Sequence, residues 1–202
     1  MKIICIGRNY AAHIEELANE RPAEPVIFLK PDTALLSKEQ DFYIPGFSDA
    51  IHYEAELVIK ICKTGKHIDP QFAHKYYEEI SLGIDFTARD LQEHLKEKGL
   101  PWEKAKAFDG SACVGEWLSK TTGDINDLRF HLNKNGHTVQ QGHTALMLWK
   151  VDELIAQVSG YFTLKTGDII FTGTPAGVGK ISPGDRLQGY LEDKEVFSVD
   201  IK

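Results

Sequence analysis

Two glutamates stand two residues apart at the head of an apolar segment. Glu54 and Glu56 belong to a β-branched run that ends near residue 62, and such a run favours a strand. Because side chains alternate along a strand, both carboxylates are expected on one face, opposite Ala55 and Leu57. Two carboxylates aimed at one point repel each other unless a cation lies between them. The spacing therefore indicates a divalent-metal site, with an ordinary solvated strand face as the alternative.

A third carboxylate, Asp85, lies at the end of a predicted strand over 81–86. With Glu54 and Glu56 it makes an all-oxygen set of ligands. Hard oxygen ligands favour Mg²⁺, Mn²⁺ or Ca²⁺ over zinc. His52 falls on the same predicted face as the two glutamates, so a site that includes histidine stays open.

A helix is predicted over 87–96, directly after Asp85. Thr87 is its expected N-cap, Asp90 the acid of a capping box and Gly99 the residue that ends it. Arg89 and Gln92 lie three apart on one face of this helix. A cation beside a metal site normally implies an anionic substrate, so Arg89 and the later Lys106 are candidates to meet one.

His13 and Glu16 lie three positions apart within a loop-rich stretch over 7–25. If their segment is helical, the two side chains share a face. A histidine that contacts a carboxylate is oriented and made more basic, which suits a base that activates water. From spacing alone, a surface histidine with an incidental neighbour is the alternative.

The glycine-rich loop over 172–180 matches neither the Walker pattern nor the dinucleotide fingerprint. It follows a predicted strand over 168–172. Its backbone amides could form a nest for a substrate carboxylate, and a tight structural turn explains the glycines equally well.

Composition favours one soluble domain over residues 1–202. Hydrophobic residues make up 42% of the chain and charged residues 26%, and the net charge is −7. This balance argues against nucleic acid as a partner and leaves no basic membrane patch. The sequence offers no membrane-length apolar run and no signal peptide, so a cytoplasmic protein is expected. Its three cysteines lie in apolar surroundings, which favours reduced thiols: Cys5, Cys62 and Cys113.

Strands outnumber helices and do not alternate with them regularly. This pattern predicts an α+β domain that is mainly β, a mixed sandwich or roll with few short helices, rather than a Rossmann or TIM-barrel fold. A second helix is predicted around 148–158 with Gly160 after it, and 31–50 is expected to be mostly loop. The remaining predicted strands are 2–6, 26–29, 55–62, 186–191 and 195–201.

Six motifs occur in order along almost the whole chain. They are Gly7-Arg8-Asn9-Tyr10 with His13 and Glu16, Phe28-Leu29-Lys30-Pro31, Glu54-x-Glu56, Gly83-x-Asp85-x-Thr87-Ala88-Arg89-Asp90-x-Gln92, Gly99-Leu100-Pro101-Trp102-x-x-Ala105-Lys106, and Gly167-Asp168-Ile169-Ile170-x-Thr172-Gly173-Thr174-Pro175-x-Gly177-Val178-Gly179. Together they closely resemble the fumarylacetoacetate hydrolase family, in its short single-domain branch of acylpyruvases and oxaloacetate decarboxylases. One departure is Asp109, which is expected to alter the rim of the substrate pocket.

The resemblance implies the family's C-terminal-domain fold, a homodimer, and Mg²⁺ or Mn²⁺ on Glu54, Glu56 and Asp85. It implies divalent-metal-dependent cleavage of a C–C bond in small 2,4-dioxo acids, with pyruvate leaving as a stabilised enolate. Oxaloacetate decarboxylation, isomerisation of a 2-hydroxyhepta-2,4-diene-1,7-dioate, and a metal-dependent binding protein without catalysis are the alternatives. The site residues carried over are His13, Glu16 and Lys106 as catalytic, and Arg8, Tyr10, Arg89, Gln92 and Thr174 as substrate-binding.

Overall fold

A computed structural model describes residues 1–17, 20–38 and 40–202. The strands are β1 Ile3–Gly7, β2 Val26–Lys30, β3 Ile51–Tyr53, β4 Ala55–Ile61, β5 Tyr77–Asp85, β6 Thr87–Ala88, β7 Ala112–Val114, β8 Leu118–Ser119, β9 Arg129–Lys134, β10 His137–His143, β11 Ile169–Phe171, β12 Gly179–Lys180, β13 Arg186–Leu191 and β14 Lys194–Asp200. The helices are α1 Ala11–Glu16, α2 Pro70–Ala73, α3 Arg89–Glu97, α4 Glu103–Lys106 and α5 Val151–Tyr161. Short 3₁₀ turns occupy Asp32–Ala34, Lys120–Thr122 and Thr144–Leu146.

The described strands form three sheets. The largest has the order β2-β1-β11-β4-β5-β7, with β8 also paired to β5. A four-stranded sheet has the order β10-β9-β13-β14, and a small one the order β12-β3-β6. Among the described strands, β1 and β11 run parallel and the other pairs are antiparallel. This mainly β architecture with few short helices confirms the predicted fold class.

The central strand β4 is buried on both faces, which explains its nearly unbroken apolar sequence. Ala55, Leu57 and Ile59 pack into the main hydrophobic core. Val58 belongs to a second, smaller cluster. Glu56 alternates with the first set, so it lies on the same strand face as Val58. The predicted separation of the two faces is therefore confirmed.

The strands predicted from the sequence are present, with shifted ends. The strand expected over 81–86 begins earlier, at Tyr77. The final hairpin is tighter than predicted, since β14 begins at Lys194. The hairpin β9–β10 is absent from the prediction. Its turn, Asn135-Gly136, has positive φ at both residues, which is typical of a type I′ turn and is a recognisable sequence signal.

Three helix predictions need correction. Thr87 is not an N-cap, because it pairs with β3 as part of β6 and α3 begins at Arg89 without a side-chain cap. Asp90 instead accepts hydrogen bonds from the Ser48 hydroxyl at 2.6 Å and from the Asp49 amide at 2.9 Å. Gly160 lies inside α5. Gly99, with φ of 63°, does follow the end of α3 as predicted.

Other expectations concern loops, membranes and thiols. The stretch over 7–25 contains α1, so it is less irregular than predicted. Residues 18, 19 and 39, which belong to the two predicted loop stretches, lie outside the described part of the chain. No described helix has the length and apolarity to cross a membrane. The three cysteines are free, as expected.

Candidate active site

The carboxylates of Glu54, Glu56 and Asp85 converge in one cluster. Glu54 joins β3 to β4, Glu56 is the second residue of β4, and Asp85 ends β5. The two long strands pair with Ala55 opposite Ile84, and the backbone N–H of Asp85 donates to the carbonyl oxygen of Glu54 at 2.8 Å. One oxygen from each carboxylate lies within 4.8 Å of the others. Strand pairing therefore brings the three acids together.

Burial decides between the two interpretations of the glutamate face. Glu54 is 5% exposed, Glu56 2% and Asp85 1%, so the solvated strand face is wrong. Among the described residues, the group able to hold a metal ion contains these three acids and not His52. The Nδ1 atom of His52 has no hydrogen-bond partner there.

Three cations neutralise most of the cluster. The Lys106 Nζ atom lies 2.7 Å from Oε2 of Glu54 and 2.8 Å from Oδ2 of Asp85. Arg89 donates through Nη2 to the other oxygen of Glu54. Lys30, which is buried along its whole length, places Nζ 2.8 Å from Oδ1 of Asp85. These pairs offset part of the cost of taking the charges out of water.

Glu56 differs from its two neighbours, because none of these ion pairs reaches it. Its Oε2 accepts a hydrogen bond from the Gly173 amide at 2.7 Å. Burial, followed by the negative charges of Asp85 and Glu54, raises the pKa of Glu56 well above its usual range. For Glu54, burial also favours the neutral form, but Lys106 and Arg89 outweigh it and hold the pKa well below its usual range. Among the described residues, one acid of the cluster, Glu56, therefore lacks a compensating cation.

The donor set fits a divalent ion. Three buried carboxylates supply oxygen ligands at mutual distances that one ion can span. A bound cation would also compensate the charge of Glu56, which the two neighbouring carboxylates repel. Oxygen ligands of this kind suit Mg²⁺ or Mn²⁺. Glu54, Glu56 and Asp85 would hold the ion, as the sequence predicts.

The pair His13 and Glu16 lies on α1, and its two side chains are in contact. Nδ1 of His13 is 3.1 Å from Oε2 of Glu16. Oε1 of Glu16 accepts a hydrogen bond from the Gly177 amide at 2.9 Å, so both carboxylate oxygens are fixed. An ionised Glu16 keeps the imidazole proton on Nδ1 and leaves Nε2 as the basic nitrogen. His13 lines the cleft that holds the three acids, whereas Glu16 stands behind it.

Asn9 fixes the start of the glycine-rich loop. Its side-chain amide donates to the carbonyl oxygen of Thr172 at 2.7 Å and to that of Trp149 at 3.1 Å. Gly173 has φ of 103°, and a Cβ atom there would lie 2.6 Å from Cβ of Asn9. Glycine is therefore required where the loop turns its amide toward Glu56.

Two of the loop amides are used within the protein and are not open to a substrate carboxylate. The amides of Gly173 and Gly177 donate to the protein's own Glu56 and Glu16. The loop thus positions one acid of the cluster and the carboxylate that orients His13.

The other predicted substrate residues divide between cleft and core. Arg8, Arg89, Gln92 and Thr174 line the cleft. Arg89 donates to Gln92 at 2.6 Å, so these two form one unit with Glu54. Arg8 has φ of 60°, a costly conformation for a residue other than glycine. Such strain is often found at functional positions.

Tyr10 and Asp109 lie elsewhere. Tyr10 is 2% exposed and packs in the main core, outside the residues that line the cleft, and its hydroxyl has no hydrogen-bond partner among the described residues. Asp109 is exposed on a separate surface beside Thr33 and Tyr43, so it does not form the rim of this cleft.

Two charged residues of the site were missed by sequence reasoning. Lys30 stands within the motif Phe28-Leu29-Lys30-Pro31, and nothing in its local sequence marks it as buried. Lys96 lines the cleft and follows Arg89 and Gln92 on the same face of α3, a spacing that could have revealed it. Burial, then the positive charges of Arg8 and Arg89, lowers the pKa of Lys96. The cleft therefore gathers cations beside the acids.

Comparison with known proteins identifies the family. The model of the fumarylacetoacetate hydrolase C-terminal domain matches residues 2–202. An oxaloacetate tautomerase of Escherichia coli (strain K12) is 42% identical over 188 residues, which cover 92% of this chain and 86% of that protein. Similar proteins also include an oxaloacetate decarboxylase of Dictyostelium discoideum and a 2-hydroxyhepta-2,4-diene-1,7-dioate isomerase of Mycobacterium marinum.

Solved structures agree in fold. A fumarylacetoacetate hydrolase family protein of Yersinia pestis superposes with a TM-score of 0.96 at 39% identity, covering 100% of this chain and 93% of that one. A fumarylpyruvate hydrolase of Pseudomonas aeruginosa, solved with Mn²⁺ and pyruvate, gives 0.93 at 35% identity, covering 100% and 89%. With the match over almost its whole length, this chain belongs to the fumarylacetoacetate hydrolase family.

Proposed function

We propose that this protein is a divalent-metal-dependent enzyme for small 2-oxo acids with a second carbonyl at C4, and that it hydrolyses acylpyruvates. The observation that carries the proposal is the meeting of two groups in one cleft. The buried acids Glu54, Glu56 and Asp85 fit a metal ion, and His13, oriented by Glu16, faces the same space. A bound divalent ion would act as a Lewis acid that favours enolate formation.

The protein's own residues account for binding of an anionic acid. Arg8, Arg89 and Lys96 line the cleft with positive charge, while Gln92 and Thr174 offer polar side chains. The lowered pKa of Lys96 reflects burial and its cationic neighbours, which a bound carboxylate would offset.

In hydrolysis, His13 acts as the base that activates water. Nε2 takes a proton from water, and the resulting hydroxide oxygen bonds to the distal carbonyl carbon. The bond between C3 and C4 then breaks, its electron pair leaves with pyruvate enolate, and a proton added at C3 completes pyruvate. The other product is the carboxylate of the acyl group.

Oxaloacetate conversion is the second candidate, because its substrate is also a small 2-oxo acid that the same acids and cations would bind. Tautomerisation needs a proton moved between C3 and the C2 oxygen, and decarboxylation needs loss of C4 as CO₂. Neither reaction needs an activated water. The relationship to the Escherichia coli oxaloacetate tautomerase supports this candidate about as well as the fumarylpyruvate hydrolase supports the first.

Parallel assays of acetylpyruvate, fumarylpyruvate and oxaloacetate with Mn²⁺ or EDTA test the proposal. Hydrolysis in ¹⁸O-labelled water is expected to place the label in the acyl carboxylate, and EDTA is expected to stop it. His13→Gln should abolish this turnover, whereas the exposed His137→Gln serves as control. If oxaloacetate is the one substrate of the three that is converted, the hydrolase proposal is wrong and the second candidate takes its place. Metal-dependent binding without any turnover would favour a binding protein.

The proposal also includes the homodimer that the family resemblance implies. Light scattering of the purified protein is expected to give twice the 22.7 kDa mass of the chain.

A further inference from the structure

A second cavity opens beside the carboxylate cleft. Its volume is about 250 Å³, against about 40 Å³ for the cleft itself. Phe28, Trp102 and Lys106 line both spaces and so form a wall that the two share. We name the second space the side pocket; its other lining residues are Val26, Ile27, Leu29, Leu100, Pro101 and Glu103.

The shared wall connects the side pocket to the acids. The rings of Phe28 and Trp102 meet edge to face with centroids 6.1 Å apart. The Nζ atom of Lys106 lies 5.3 Å from the Phe28 ring centroid and contacts Glu54 and Asp85 at the same time. A molecule whose acidic end lies at the cluster would therefore direct its other end along this aromatic pair.

The chemistry of the side pocket favours an uncharged tail. Most of its wall is aliphatic or aromatic. Lys106 uses its three ammonium N–H groups on Glu54, Asp85 and Thr87, so it has none to offer a tail carboxylate. The exposed carboxylate of Glu103 would repel an anionic tail.

We propose that the side pocket binds the apolar tail of the substrate and so selects 2-oxo acids with neutral acyl chains over those that end in a second carboxylate. This inference rests on the proposed function, because it assumes that a 2-oxo acid binds at the carboxylate cluster. The pocket holds several times the volume of the cleft, which leaves room for a chain that the cleft cannot contain.

Calorimetric titration with linear 2-oxo acids from pyruvate to 2-oxohexanoate, in the presence of Mn²⁺, tests the placement without any need for turnover. Each added methylene is expected to tighten binding by roughly twofold to fourfold. Leu100→Asp should remove this dependence while pyruvate affinity stays within about twofold. Leu100 is 48% exposed, so the variant should fold. Leu146→Asp, at a leucine that is 66% exposed and outside both spaces, is the matched control.

Each outcome separates the two proposals. Pyruvate binding with no gain from longer chains would overturn the side pocket and leave the proposed function standing. A dependence that survives Leu100→Asp would show that the tail lies elsewhere. If pyruvate itself fails to bind with Mn²⁺, the proposed function and the side pocket both fall.

The charge at the rim has its own test. Glu103→Gln is expected to tighten binding of 2-oxohexanedioate by about twofold to fivefold and to leave 2-oxohexanoate unchanged. Glu97→Gln, another exposed glutamate outside both spaces, should alter neither ligand. Equal affinities in Glu103→Gln and the parent protein would refute the selection against anionic tails.

Discussion

Replacing Lys30 by methionine removes one positive charge from the carboxylate cluster while keeping a side chain of similar length. Lys30 is 2% exposed, and its Nζ lies 2.8 Å from Oδ1 of Asp85 and 3.0 Å from both oxygens of Ser111. The variant therefore leaves the buried Asp85 with one cation fewer. We expect the metal-free protein to be destabilised.

The size of the loss follows from burial. Removing one partner of a buried ion pair costs about 3–5 kcal/mol. For a chain of this length, 1 kcal/mol shifts Tm by about 2–4 °C, so the expected decrease is roughly 6–20 °C. In the parent protein, Lys30, Lys106 and Arg89 pair with Glu54 and Asp85. The variant has a net charge one unit more negative there, so Mn²⁺ should stabilise it more than it stabilises the parent.

Denaturant unfolding with EDTA or with saturating Mn²⁺ measures both effects. An ion at a hundred times its Kd adds about 2.7 kcal/mol, which would recover roughly half or more of the loss. Lys60→Met is the control, because Lys60 pairs with Glu79 at 2.7 Å on the surface and should cost at most about 1 kcal/mol. Equal losses in the two variants, or a smaller Mn²⁺ effect in Lys30→Met than in the parent, would refute this reasoning.

Three further predictions concern the same cleft. Glu56→Gln should leave the Tm of the metal-free protein unchanged or raise it, because it removes a buried acid that has no cationic partner among the described residues. The same variant should abolish the increase in Tm that Mn²⁺ causes. A large loss of stability without metal would contradict this charge argument. Glu16→Gln should lower kcat for acylpyruvate hydrolysis by about 10²–10⁴-fold with the Mn²⁺ Kd nearly unchanged, and parental turnover would exclude the His13–Glu16 pair as the base. The fold raises the pKa of Glu56 above 4.5, so the protonated carboxyl group stabilises the metal-free protein at low pH. This stabilisation is lost as the pH rises from 4.5 through the raised pKa. The affinity for Mn²⁺ increases over the same pH interval, because the ion binds the ionised carboxylate. Calorimetry in buffers of different ionisation enthalpy should detect proton release on Mn²⁺ binding, and a pH-independent affinity would disprove the role of Glu56.

The shared face of the two glutamates was predictable because strand alternation is a local property. Glu54 directly precedes β4 and Glu56 lies within it, so alternation puts both on one face, and Asp85 marks the end of the neighbouring strand. Their burial was not predictable from that pattern, since a half-exposed strand has the same alternation. It comes from the stacking of β4 between two apolar clusters.

The cations depend on contacts between distant segments. Lys30 looks like a surface lysine at the end of an apolar strand, and only the fold brings it to Asp85, 55 residues later in the sequence. Thr87 has the side chain of a good N-cap, but pairing with β3 holds it in a strand and places its hydroxyl 2.5 Å from Lys106 Nζ. The Asn135-Gly136 turn, by contrast, was a local signal that the sequence analysis overlooked.

A crystal structure with Mn²⁺ and oxalate, recorded with anomalous scattering, tests the central claim most directly. The claim is that Glu54, Glu56 and Asp85 together hold one divalent ion on which a 2-oxo acid can bind. It predicts a single strong anomalous peak within about 2.0–2.6 Å of one oxygen from each carboxylate, with oxalate beside it in the cleft that His13 lines. An anomalous peak at another location would contradict the claim. So would the absence of a peak at these carboxylates in a crystal soaked with saturating Mn²⁺.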